Sequence, residues 1–474
     1  MFKKKTPSTM TLSLDRPKSR LKRLQQKLDR NDHSRGKWLA FFCASILAFS
    51  LLLYLLLGLI ANQPAQHLQG QSQVAQPIKL KVDARNAIVV DAKTGQVLGK
   101  KNSQQQIGIA SQSKMLTAYG VLQEIKEKRF NWDTLVEITP QSDWSKKDNA
   151  TFAHLEISAG QKLPVSELFA AMFTSSANDA ALALADFAKD SHETQQHALE
   201  RWAKQLKLTG SKWYNAAGQV NGDASDYEVK TAKADAENTA SAEQLAILAY
   251  QDLQAYPGLR TFYEKRGLVY HPTANETKIK LTEAGKFDQE IKGKLQNPQN
   301  LTFEGLKTGS TPASGGALTG LVKDSRGREF ITVVSGAGAY TDQVHRYQAT
   351  IDVVNQVENQ FDSVSFKAGQ PLGTQQTIKN LNMKSGQQAV VLQSQRMYWL
   401  KKGQTKLGYY LPKSLSNHSQ SKGTVVAEIN PALKTEYLPT VAKKTRQLTL
   451  ATADNQPLAH WWQKAHQWSA FWQK

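Results

Sequence analysis

Trp38 to Ile60 is an almost unbroken apolar run, with Leu51-Leu52-Leu53-Tyr54-Leu55-Leu56-Leu57 at its centre, and no other stretch limits the chain's topology so strongly. As a helix it extends about 35 Å at about 1.5 Å per residue, enough to span a hydrocarbon core of roughly 30 Å. Arg30, Arg35 and Lys37 precede it, and no Lys, Arg, Asp or Glu follows until Lys79. The positive-inside rule therefore predicts a cytoplasmic N-terminus, with everything after Ile60 on the outer face of the cell membrane. A cleaved signal peptide is the rival reading. Its apolar region is normally shorter, and no clean A-x-A site stands near Ala61. The predicted order begins with a basic cytoplasmic tail over 1–37 and an uncleaved transmembrane helix over 38–60.

Charge agrees with such a location. The formal net charge is +20, and the first 37 residues hold twelve Lys/Arg against three Asp, so +9 sits in the tail and +11 is spread over the rest. A membrane surface or an anionic wall suits that balance. The sequence holds no zinc finger, no aromatic-basic RNA motif and no G-x-x-x-x-G-K, so nucleic acid is not indicated. Cys43 is the single cysteine, which rules out an intrachain disulfide and a thiol-rich metal site. No metal cluster or cofactor motif is evident.

Residues 61–80 are Gln-rich, carry Pro64 and Pro77, and read as a flexible linker. Ala87-Ile88-Val89-Val90-Asp91, a turn at Lys93-Thr94-Gly95 and Gln96-Val97-Leu98 predict a hairpin. Helical periodicity follows from Met115 to Leu122, from Val165 to Phe173, from Ala181 to Phe187 and from Ser241 to Tyr250. Residues 215–238 are polar and read as a loop or surface insertion. Strands are predicted over Thr302–Thr311, Leu318–Val322 and Phe330–Ser335, with a closing helix over Val344–Val357. This pattern predicts an α+β domain over 81–358 whose sheet is assembled from both ends of its sequence. Short alternating runs over 361–440 predict a small all-β domain, a spacer or partner-binding module. At the end, Leu458, Trp461, Trp462, Ala465, Trp468 and Trp472 share one helical face, which predicts an amphipathic, membrane-associating helix over 456–474. A helix docked on its own domain is the alternative.

One stretch carries chemistry. A short polar lead ends at Ala110, and Met115, Leu116, Tyr119 and Leu122 recur at helical spacing, which puts Ser111 near a helix N-terminus and Lys114 one turn up the same face. A serine hydroxyl is too weakly acidic to attack a carbonyl unaided, and an amine within hydrogen-bond reach can take its proton. The helix N-terminus adds positive potential. S-x-x-K alone is a poor signal, since the chain holds four copies. Two further pieces follow it in order. Ser176-Ala177-Asn178 is a polar interruption between two buried-looking helical runs, and Lys307-Thr308-Gly309 stands at a predicted strand end. A second K-T-G, Lys93-Thr94-Gly95, precedes Ser111 and reads as a hairpin turn.

S-x-x-K, S-x-N and K-T-G in this order form the set of the penicillin-interacting serine acyltransferases. The wider contexts, Ala110 to Thr117, Ser175 to Ala180 and Glu304 to Thr311, resemble the serine-type D-alanyl-D-alanine carboxypeptidases, the low-molecular-mass penicillin-binding proteins. The resemblance covers about Ala84 to Val357 and extends less specifically to the β domain and the amphipathic tail. It implies a β-lactamase/transpeptidase-like fold, a sheet flanked by helices with a helical subdomain, followed by a small all-β domain. It implies Ser111 as nucleophile, Lys114 as base and Ser176 as proton relay. Asn178, Lys307, Thr308, Gly309 and Ser310 would bind substrate, with an oxyanion hole from the backbone N–H groups of Ser111 and Ser310. Peptidoglycan stem peptides ending in D-Ala-D-Ala and β-lactams are the implied partners. No metal or cofactor is implied.

Two features depart from that family: the retained spanning helix with its basic tail, and the long polar segment from about Gln219 to Asn238. A class A β-lactamase would also need a glutamate in an E-x-x-L-N stretch after S-x-N, and none stands there. An endopeptidase or transpeptidase would use the same residues with another donor or acceptor. A non-catalytic wall-binding protein would have no need of Lys114.

Overall fold

The computed structural model describes residues 66–149, 151–273, 276–372, 377–415, 421–461 and 463–464. The predicted tail 1–37 and transmembrane helix 38–60 lie outside the described residues, as does most of the predicted helix 456–474. Among the described residues no helix is long and apolar enough to cross a membrane.

Asn86–Asp91 (β1) and Gln96–Lys101 (β2) form the expected hairpin. Asp91 holds its turn by accepting hydrogen bonds from the Thr94 backbone N–H at 2.7 Å and the Thr94 hydroxyl at 2.6 Å. The helices are Lys114–Lys126 (α1), Val165–Thr174 (α2), Asn178–Ala188 (α3), Gln195–Gln205 (α4) and Ala242–Ala255 (α5). The chain then returns to strands at Thr302–Thr311 (β3), Gly315–Lys323 (β4) and Glu329–Ser335 (β5), and closes with Gln343–Gln360 (α6). Sheet order is β3-β4-β5-β1-β2, so the two ends of the sequence meet where β5 pairs with β1.

The sheet explains why β1 is apolar at consecutive positions rather than alternating. Ile88 and Val90 face the core shared with α1 to α5, while Ala87 and Val89 face the core under α6. A sheet covered on both faces needs apolar residues on both. Local signals set the helix ends. Ser241 and Gln244 form a capping box at α5, and Asp342 accepts from the Val344 and His345 N–H groups at α6. Such caps contribute about 1 kcal/mol each.

The all-β part extends past its expected end and takes in residues from before the main sheet. It starts at once after α6 with Phe361–Phe366, which pairs with Arg396–Lys401. It continues past residue 440 to Leu448–Thr452, a strand between Val425–Pro431 and Gln387–Leu392. One edge of its sheet is Gln66–Gln69, antiparallel to Tyr409–Pro412, and the other is Thr377–Lys379. The predicted linker is thus stranded from Gln66 onward. Gln73–Val74 runs parallel to Leu433–Lys434, and Ile78–Lys79 runs parallel to β2. The physical reason is that pairing of this kind uses backbone N–H and C=O groups, so a polar, Gln-rich stretch can supply it without apolar side chains.

The β part and the main sheet are fastened at one aromatic residue. Trp399 is fully buried and donates its indole N–H to Asp91 at 2.9 Å. Its backbone N–H and C=O bond the Gln96 side chain, both at 3.0 Å. Arg328 lies over the Trp399 ring at 4.6 Å and pairs with Asp324 and Glu358. Glu436–Tyr437 adds to the sheet beyond β2.

Candidate active site

Ser111 sits in a single 3-10 turn, Ala110–Ser113, and Lys114 is the first residue of α1. Lys114 is fully buried, with its Nζ 3.0 Å from Ser111 Oγ, 2.8 Å from Asn178 Oδ1 and 2.6 Å from the Ala217 carbonyl oxygen. The last two partners can only accept. A neutral amine has two N–H groups to give them, which leaves its lone pair for the Ser111 hydroxyl proton. Burial holds Lys114 well below the ordinary lysine range, and the Lys307 charge pushes the same way while Asp179 opposes. Asp179 is itself buried, accepts from the Leu155 and Ala180 N–H groups, and is pushed up to about 6 by desolvation.

α2 ends at Thr174 and α3 begins at Asn178, so Ser175 to Ala177 form the link between them. Ser176 adopts a left-handed backbone (φ +57°), and it is two residues from Asn178 on the floor of the site. The Asn178 side-chain NH₂ is buried without a protein partner among the described residues.

Lys307, Thr308, Gly309 and Ser310 all lie within β3, which runs on to Thr311. The motif is therefore inside an edge strand and not at a strand end, because the β4 ladder continues through Thr311↔Gly315. Lys307 is buried and its Nζ lies 3.2 Å from the Thr308 carbonyl. Its pKa is lowered to about 8, chiefly by burial, with Glu283 opposing and Arg346 adding to the drop. Gly309 lets the strand touch the nucleophile turn: a Cβ there would stand 2.6 Å from the Ile109 carbonyl oxygen. Gln112 ties the same turn to β4 through Thr319 at 2.8 Å. Arg346, buried on α6, donates to the Gly309 and Ala317 carbonyls at 3.3 and 3.4 Å.

The structure thus brings Ser111, Lys114 and Asn178 into one hydrogen-bonded cluster and packs the β3 residues against the same turn. Sequence reasoning missed the Ala217 carbonyl, which carries no side-chain signature, and Arg346. Residues 215–238 form the expected loop, exposed at many positions between 222 and 235, but three of its asparagines point inward. Asn215, Asn221 and Asn238 are buried and bond the backbone around them. A cleft of about 630 Å³ lined by Gln104, Gln106, Tyr119, Gln244 and Thr440 includes none of the motif residues. A hydroxyl beside a buried neutral amine, facing a buried cation, can carry out nucleophilic attack on an anionic acyl substrate.

The model of the D-alanyl-D-alanine carboxypeptidase family matches residues 71–339. The chain is 27% identical to the D-alanyl-D-alanine carboxypeptidase DacD of Salmonella typhimurium over 259 residues, 54% of this chain and 58% of that protein. It is 25% identical to DacC of Escherichia coli over 265 residues, 56% of this chain and 58% of that protein. It therefore spans less than two thirds of the length of these curated relatives. Among solved structures, the peptidoglycan synthesis regulatory factor PBP3 of Streptococcus pneumoniae superposes with a TM-score of 0.64 at 22% identity, covering 79% of this chain and 100% of that one. Penicillin-binding protein 6B of Escherichia coli superposes with a TM-score of 0.52 at 20% identity, covering 83% and 99%. Both likenesses are of fold.

Proposed function

The chain belongs to the D-alanyl-D-alanine carboxypeptidase family, and on that premise we propose that it removes the terminal D-alanine from peptidoglycan pentapeptides through an acyl-enzyme on Ser111. The observation that carries this reading is Lys114 Nζ, buried and 3.0 Å from Ser111 Oγ, with its other bonds going to groups that only accept.

Ser111 Oγ attacks the carbonyl carbon of the penultimate D-alanine and gives its proton to the Lys114 amine. The tetrahedral oxyanion is held by the Ser111 and Ser310 backbone N–H groups. The C–N bond breaks, and the proton passes by way of Ser176 to the departing amine. Water then attacks the ester, Lys114 takes its proton, and Ser111 Oγ recovers one as the shortened stem peptide leaves. Asn178, with its unpartnered NH₂, supplies a donor for a substrate amide carbonyl. The Lys307 ammonium attracts the terminal carboxylate, with Thr308 supporting it, and Gly309 keeps β3 close to the nucleophile turn. A β-lactam presents a similar carbonyl and carboxylate and would acylate the same oxygen.

The setting of this activity belongs to the same proposal. The apolar run 38–60 behind a basic tail supports a membrane-anchored enzyme with its site outside, and the Trp-bearing face of 456–474 supports a second contact with the membrane surface.

The test uses the full chain in detergent, with the Ser111→Ala variant beside it. Fluorescent penicillin labelling and D-alanine release from a D-Ala-D-Ala peptide are read in the same samples. Both signals in the wild type and neither in the variant are expected. Labelling without D-alanine release would transfer the chemistry to another donor or acceptor, and an unlabelled wild type would end the acyl-enzyme reading.

A further inference from the structure

The polar segment before α5, which the family resemblance leaves unexplained, ends in two adjacent residues that reach opposite walls of the site. Asn238 is 1% exposed and holds the nucleophile turn. Its side-chain NH₂ donates to Ser113 Oγ at 2.9 Å and to the Asn215 carbonyl at 2.8 Å. Its side-chain oxygen accepts from the Tyr214 N–H at 2.7 Å, and its backbone carbonyl accepts from the Ile109 N–H at 3.0 Å. Ser113 Oγ in turn donates to the Ala110 carbonyl at 2.6 Å, which closes the turn that carries Ser111. Glu237 holds the other wall. Its Oε1 accepts from Thr311 Oγ1 at 2.6 Å, at the last residue of β3 and one place after Ser310. Thr311 is fixed from its other side by Ser314.

We infer that Glu237 and Asn238 form a clamp that sets the separation between the Ser111 turn and the Ser310 end of β3, so that both are positioning residues for the acylation step. This rests on the acyl-enzyme reading. The two N–H donors of that reading sit on chain segments about two hundred residues apart in sequence. Donors aimed at a developing oxyanion must hold their spacing to about half an ångström. The contact at Gly309 sets how closely the two segments can approach, but a steric contact does not stop them from separating. Hydrogen bonds do: Gln112 ties the turn to Thr319 of β4, opposite Lys307, and Glu237 adds a second tie at the Ser310 end, because it joins the last residue of β3 to the residue next to the one gripping the turn. Gly108, in the short strand Ile107–Gly108, leaves the carboxylate its place: a Cβ there would lie 1.9 Å from Glu237 Oε2.

The clamp predicts a particular set of outcomes. Glu237→Ala removes the acceptor for Thr311, Glu237→Gln keeps an oxygen there, and Gly108→Ala pushes the side chain off its seat. We expect Glu237→Ala and Gly108→Ala to lower the acylation rate constant for fluorescent penicillin by about tenfold or more, as a misplaced reacting group does. The concentration dependence of labelling should stay near the wild-type value, and Glu237→Gln should stay within about threefold of wild-type rate. Thermal melting of each variant reports folding independently. Glu237→Ala labelling at the wild-type rate overturns the clamp. Equal losses in Glu237→Ala and Glu237→Gln also overturn it, since they would make the charge and not the hydrogen bond responsible. Slower labelling that merely tracks a lowered melting temperature would reduce Glu237 to a structural part. A wild type that does not label overturns the acyl-enzyme reading itself and the clamp with it.

Discussion

The tripeptide Lys-Thr-Gly occurs twice, and the two copies do different work. In the β1–β2 turn, Lys93 is exposed, Thr94 gives its N–H and hydroxyl to Asp91, and the Asp91 carboxylate goes on to meet Trp399. In β3, Lys307 is buried, its pKa is drawn down to about 8, and Gly309 lies against the carbonyl of Ile109. The first copy is part of a joint whose central carboxylate accepts three hydrogen bonds. The second belongs to a site that keeps a buried NH₂ of Asn178 without an acceptor among the described residues. A buried polar group that is satisfied contributes rigidity, whereas one left unsatisfied costs stability and is retained where a ligand can complete it.

This contrast can be broken most directly at the two lysines. Lys307→Ala should lower kcat/KM for a D-Ala-D-Ala peptide by about a hundredfold, the cost of losing a buried charge partner for the carboxylate. A Lys307→Ala enzyme with wild-type kcat/KM would remove the functional half of the comparison. The pH profile sharpens the same point. Burial lowers the Lys307 pKa to about 8. Its ammonium is present below that pH and lost above it, so log kcat/KM should fall with rising pH through this region, by about one unit per pH unit. The acid limb should belong to Lys114, which must lose its proton to act as base, at a pH well below the ordinary lysine value. A profile that stays flat from neutral to strongly alkaline pH would refute the assignment.

At the joint, the expected effects are on stability. Trp399→Phe keeps most of the ring but removes the N–H that Asp91 accepts. Denaturant titration should show a loss of about 1–3 kcal/mol, with the labelling rate of the folded fraction unchanged. A slowed labelling rate would mean that the joint and the site are coupled, and would weaken the contrast. Lys93→Ala is the smallest case. It should change stability by less than about 0.5 kcal/mol and leave D-alanine release as it was.

Sequence patterns revealed the parts of the fold that side chains define. Helical spacing after Ser111 placed Lys114 one turn on, the polar break at Ser175 to Ala177 marked the α2–α3 link, and the apolar run from Ala87 with its Gly-bearing turn marked the β1–β2 hairpin. The two K-T-G copies could not be separated by composition, only by their order relative to Ser111. What stayed hidden depends on backbone atoms and on distant pairs. The Ala217 carbonyl that bonds Lys114 has no residue-type signature, and Glu237 reads as one more charge in a polar segment until β3 is seen beside it. The strands Gln66–Gln69 and Gln73–Val74 hid for the same reason, since their partners lie far along the chain.

Those strands bear on how the protein is made. Ser72 donates to the Ala432 carbonyl and Thr435 donates to the Ala75 carbonyl, pairs 360 positions apart in sequence. Ribosomes deliver the chain N-terminus first, so the residues from Gln66 onward emerge long before their partners exist. Closing a loop of that length is slow compared with forming the local helices. Translation stopped after α6 would leave the Gln66–Lys79 segment with no partner for two of its three strands. The last strands to be synthesised therefore complete the beginning of the fold, and a prematurely ended chain would expose open edges to aggregation and proteolysis.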